Sequence, residues 1–125
     1  MAGGVEWLVD ASGCRAEALR DPAALESLFR RIVADLGLHP VGAPVWHRFP
    51  APGGVTGVWL LQESHLACHT FPEHGSLCLN LFCCRPRAAW DWEGALGAAL
   101  GADRVVVRSV DRDYVPSAEA RAACR

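Results

Sequence analysis

Two apolar runs, VWLL at residues 58–61 and LCLNLFCC at residues 77–84, bracket the segment that most constrains this chain. Each has the length and composition of a buried strand. Between them, residues 63–74 collect one serine, three histidines, two glutamates and a cysteine. Plain structural strands seldom carry such a load. Nucleophilic and proton-moving side chains concentrated between apolar strands point to a site held by a rigid sheet, and the rest of the chain must then supply the layer that covers it.

The flanking sequence reads accordingly. Residues 5–9 (VEWLV) form an inner strand followed by turn-forming Asp10-Ala11-Ser12-Gly13. Asp21-Pro22 starts a helix, because an Asp side chain caps free N–H groups and Pro at the first helical position loses nothing by lacking one. Leu25, Leu28, Phe29, Ile32 and Leu36 recur at helical spacing, and Gly37 closes the segment. Strands follow at residues 45–49, 55–62, 64–70 and 76–84, with a Pro- and Gly-rich connection at 50–54 that lacks the Gly-Lys-Ser/Thr of a phosphate loop. In the strand at 76–84, alternation sends Leu77, Leu79, Leu81 and Cys83 to one face and Cys78, Asn80, Phe82 and Cys84 to the other. The leucine face needs a helix over it, and the mixed face is free to line a site. Asp91 caps a second helix reaching Leu100, Gly101 ends it, and a last strand occupies 104–110. The order β-α-β-β-β-β-α-β predicts an α+β two-layer sandwich, a mostly antiparallel sheet with two helices packed on one face. A single domain over residues 1–125 is expected, with 117–125 as a flexible tail.

The charge balance excludes some functions. A net charge of −2 offers no electrostatic footprint for nucleic acid. No apolar run is long enough to span a bilayer, and the first residues lack the charged start and apolar middle of a signal peptide, so the chain reads as cytoplasmic. Most of the six cysteines are then expected to stay reduced. The five tryptophans are assigned to core or subunit contact.

The chemistry of the central segment has several readings. His65, His69 and the cysteines are metal-ligand types, but there is no C-x-x-C. On an extended strand His65 and His69 also stand roughly 13 Å apart, so no metal is expected. The vicinal Cys83 and Cys84 point to opposite faces of a strand, which argues against a redox pair. Ser64 and His69 make a nucleophile and base, yet the G-x-S-x-G elbow of a hydrolase is missing. The remaining reading is that Ser64 attacks the carbonyl before it. Amide would become ester, and elimination followed by hydrolysis would leave a pyruvoyl group made from the chain itself.

The motif E-S-H-L-A-C-H-T-F-P-E at residues 63–73, preceded by H-R-F and G-V-T-G-V and followed by L-F-C-C, resembles the short prokaryotic form of the S-adenosylmethionine decarboxylase proenzymes. The resemblance extends from Val5 to about Val110 in element order and spacing. It implies self-cleavage between Glu63 and Ser64, a covalent pyruvoyl cofactor derived from Ser64, and Schiff-base decarboxylation of S-adenosylmethionine for spermidine biosynthesis. By position it implies that His69 and Thr56 assist processing and that Cys84 returns a proton during catalysis. Phe71 would stack on adenine, Glu73 would bind the ribose hydroxyls, and Phe49 would contribute from the partner subunit of a homodimer of cleaved protomers.

The chain also departs from the usual pattern of that family. Asn80 stands in place of Asp, Cys83 of Thr, Thr56 of Ser and Arg85 of Gly, Gly-Val-Glu-Trp replaces the Gly-x-His start, and the loop after Phe49 is one residue longer. Ornithine or arginine as substrate, and an uncleaved homologue that binds a partner, are the alternatives. His65, His74 and Cys68 are read as satisfied sheet or surface residues rather than catalytic ones.

Overall fold

A computed structural model describes residues 3–85 and 87–115. The expected tail at 117–125, with Cys124, lies outside the described residues. Six strands form one antiparallel sheet: β1 (Gly4–Ser12), β2 (Val45–Arg48), β3 (Val55–Leu61), β4 (Ser64–Phe71), β5 (Ser76–Cys83) and β6 (Arg104–Arg112). Their spatial order is β2-β3-β4-β5-β1-β6. The first strand is interior, as its apolar run predicts.

Both expected helices are present. Helix α2 (Pro22–Leu36) begins where the Asp21 side chain accepts the Ala23 amide, and it ends on Gly37 at φ 63°, a left-handed geometry that favours glycine. Helix α3 (Trp92–Leu100) is capped in the same way by Asp91 and closed by Gly101. A further turn of helix, α1 (Ala16–Leu19), precedes α2, so among the described residues three α-helices rather than two accompany the sheet. Four residues are too few to show helical periodicity, which is why sequence reasoning passed over it.

The helices bury Leu19, Leu25, Phe29, Ile32, Ala95, Leu96 and Leu100 against one sheet face, where Val9, Val55, Leu66, Leu77, Leu79 and Leu81 meet them. Leu77, Leu79, Leu81 and Cys83 all point inward, while Cys78, Asn80, Phe82 and Cys84 keep solvent exposure, as alternation requires. Among the described residues no helix covers the opposite face. That face leaves Val45, Val58, Leu60, Phe71 and Val110 exposed.

Candidate active site

The hairpin joining β3 to β4 is as tight as a hairpin can be. Leu61 pairs with Ser64, so only Gln62 and Glu63 turn the corner. Glu63 takes φ 55° there, and among the described residues no other non-glycine residue has a positive φ. A side chain in that region costs on the order of 1 kcal/mol, so backbone strain sits on the residue whose carbonyl precedes Ser64. The Ser64 hydroxyl is fixed from the next strand: its Oγ accepts the Cys84 amide at 3.1 Å. Cys84 follows the last residue of β5, and its Sγ lies 4.0 Å from the Gln62 carbonyl oxygen. The Tyr114 hydroxyl in turn donates to the Cys84 carbonyl.

Three hollows meet at this turn. One of about 320 Å³ is lined by His39, Glu63, Ser64, Cys84, Arg85 and Arg87 among others. A second, about 340 Å³, lies on the open face between Glu6, Ser64, His65, Phe82 and Arg112. A third of about 280 Å³ is formed by Glu63, Phe82, Cys84 and Tyr114. The Glu63–Ser64 link is therefore reachable from more than one side.

A polar network holds the open-face side. His65 and Glu6 both sit opposite Phe82 in the sheet register and reach diagonally to Asn80. His65 Nε2 lies 2.8 Å from Asn80 Oδ1, and Asn80 Nδ2 donates to Glu6, which also pairs with Arg112. The His65 ring stacks on Phe82 at 5.8 Å. Set aside in the sequence as a satisfied sheet residue, His65 is indeed hydrogen-bonded, and it also lines a hollow with Ser64.

The cysteines divide by face. Burial pushes the Cys68 thiol up to about 12 and raises that of Cys83, against which the Arg87 guanidinium works in the opposite direction. Cys84 is half-buried, and its main-chain amide reaches Ser64 Oγ. Among the described residues no three His, Cys, Asp or Glu side chains are grouped as a metal ion would require.

The other expected site residues lie elsewhere. His69 Nδ1 meets Thr56 Oγ1 at 2.8 Å across the β3–β4 pair. Phe71 ends β4 and is exposed, Glu73 follows in a 3₁₀ turn (Pro72–His74), and Phe49 packs edge-on against His47 at 4.5 Å. His69 is five positions along β4 from Ser64, roughly 16 Å at the rise of a strand. The structure thus brings Glu63, Ser64 and Cys84 together, and gathers Thr56 and His69 separately towards the other end of the same strands. Glu6, His39, Arg87, Arg112 and Tyr114 were not expected at the site. Their approach depends on pairings of distant strands and turns; Asn80, Arg85 and the Gly-Val-Glu-Trp segment that carries Glu6 stood out in the sequence only as departures from a pattern.

Comparison with known proteins fits this architecture. Residues 5–113 match the family model described as S-adenosylmethionine decarboxylase. The S-adenosylmethionine decarboxylase proenzyme of Syntrophomonas wolfei is 33% identical, covering 91% of this chain and 90% of the relative. That of Clostridium tetani is 36% identical, covering 84% and 82%. The crystal structure of the adenosylmethionine decarboxylase from Aquifex aeolicus superposes with a TM-score of 0.74 over 93% of this chain and 95% of that one; at 24% identity it speaks for the fold.

Proposed function

This chain belongs to the S-adenosylmethionine decarboxylase family, and on that premise we propose that it cleaves itself between Glu63 and Ser64 and then releases carbon dioxide from S-adenosylmethionine, supplying aminopropyl groups for polyamine synthesis. The names of its relatives favour this substrate over ornithine or arginine, and an enzyme over a silent binding homologue. The observation that carries the reading is the strained two-residue turn with the Ser64 hydroxyl held against it by the Cys84 amide.

The residues present fit a pyruvoyl group at position 64, since Ser64 lines two of the three hollows that meet at the turn and its Oγ has a fixed hydrogen-bond donor. Such a group supplies an electrophilic ketone that takes up a substrate amine and accepts the electron pair released with carbon dioxide. The rest falls to the chain's own side chains. Strain at Glu63 brings its carbonyl nearer to attack by Ser64 Oγ, and relief of that strain favours the cut. Cys84 Sγ is the general acid that returns a proton to the substrate carbon.

His69 and Thr56 stand too far from Ser64 along their own strand to assist it. They act instead in a homodimer that packs the two open faces together, bringing the Thr56–His69 pair of the partner subunit to Ser64. The exposed Val45, Val58, Leu60, Phe71 and Val110 give that face its apolar area. The same two-fold brings Phe71, Glu73 and Phe49 of the partner subunit to bear on the adenosyl group.

Intact-mass analysis of the purified protein tests the reading. Two chains, residues 1–63 and 64–125, are expected in place of one species of 13.5 kDa, together with carbon dioxide release from S-adenosylmethionine and none from ornithine or arginine. A single uncut species with no release would overturn it.

A further inference from the structure

The 320 Å³ hollow has an unbalanced charge. Arg85 and Arg87 both line it, and among the described residues the only acid there is Glu63. Among the described residues neither arginine forms an ion pair with an acid. The Arg87 Nε is buried and has no hydrogen-bond partner there. A buried guanidinium nitrogen without an acceptor is costly, and a planar fork of donors is suited to a carboxylate.

Self-cleavage makes such a carboxylate at this spot. Attack of Ser64 Oγ on the Glu63 carbonyl carbon exchanges the C–N bond for a C–O ester bond. Loss of the Ser64 Cα proton then breaks the Cβ–O bond, and the oxygen and its electron pair leave with Glu63 as a new α-carboxylate. Water adds to the remaining enamine and ammonia departs with the proton. The lining thereby changes from two positive groups facing one negative to two facing two.

Resting on the cleavage reading above, we propose that Arg85 and Arg87 form a cradle for the new C-terminal carboxylate of Glu63. It holds the severed end of residues 1–63 beside the sheet and clear of the substrate's approach from the open face. Glu63 already lines the same hollow, so the end need only settle where it is. His39, on the same wall, adds a further donor.

The test compares one pair of substitutions in two backgrounds. In cleaved enzyme, Arg85→Ala with Arg87→Ala should lower Tm by about 4–8 °C, an effect reduced by molar salt and largely avoided by Arg85→Lys with Arg87→Lys. In uncut Ser64→Ala protein, which has no new carboxylate, the alanine pair should shift Tm by less than half as much; this background also reports whether the variants fold. Equal shifts in the two backgrounds would overturn the cradle. So would an unchanged Tm with a raised KM, which would give the arginines to the substrate carboxylate, or failure of the alanine pair to cleave, which would place them in processing. A wild-type chain of one mass would remove both the cradle and the reading it rests on, before any variant is compared.

Discussion

At its first residue β4 holds Ser64, half-buried beside a strained turn and bonded to the Cys84 amide; at its sixth it holds His69, exposed on the open face and bonded to Thr56. Both ends carry residues suited to acyl transfer, and the proposed reading gives them different uses. A nucleophile that attacks its own backbone has to be fixed relative to that backbone, and tight pairing with a turn achieves this. A base serving a second molecule has to be accessible, which an uncovered sheet face provides. The comparison breaks most directly with two inactive chains. Ser64→Ala alone should never cleave, and His69→Ala alone should cleave at least ~10²-fold more slowly. Co-expressed, the two should form mixed dimers in which the His69→Ala chain is cut, read by intact mass from the difference between the two chains. A His69→Ala chain that cuts at the parental rate, or a mixture without rescue, would return all the chemistry to one protomer.

Cys84 sharpens the contrast within the Ser64 end. The group that holds Ser64 Oγ is the main-chain amide of residue 84, which a substitution leaves in place, while the proposed proton donor is the side chain. Cys84→Ala should therefore cleave to completion and still lose about 10²- to 10⁴-fold in turnover. The first is checked by mass and the second by carbon dioxide release. Full turnover in the alanine variant would move the acid to another group facing the hollow, of which Tyr114 is the neighbour.

Much of this was legible in the sequence because it is local. Asp21-Pro22 and Gly37 bracket a helix through capping and φ preference, and the alternation of 77–84 sorts Cys83 from Cys84 without any knowledge of the sheet. The motif around Ser64 was equally plain. What could not be read is whatever strand order decides. Glu6 reaches Asn80, and through it His65, only because β1 lies beside β5. The separation of His69 from Ser64 follows from the rise of a strand, yet motif matching groups them because they are five residues apart in sequence. Arg87 enters the hollow through the loop after β5, where no periodicity exists to guide a prediction.

Thr70, next to His69, tests whether the far end of β4 is held by the core independently of the chemistry at its start. Its side chain points to the covered face and is 4% exposed. The hydroxyl accepts the Val55 amide at 2.8 Å and donates to the Leu19 carbonyl at 2.7 Å, tying β3, β4 and the end of α1 through a single oxygen. Thr70→Val keeps the shape and removes that oxygen, leaving a buried donor and a buried acceptor unpaired, for a loss of about 2–4 kcal/mol. Urea unfolding in the uncut Ser64→Ala background at fixed protein concentration measures it without the complication of a severed chain. The Glu63–Ser64 turn is closed by the Leu61–Ser64 pair at the opposite end of the β3–β4 hairpin, so a Thr70→Val chain with Ser64 intact should still cleave completely below its melting temperature. Cleavage lost in a folded Thr70→Val protein would mean that the two ends of the strand are mechanically coupled and that strain at Glu63 is set from the core rather than by the turn.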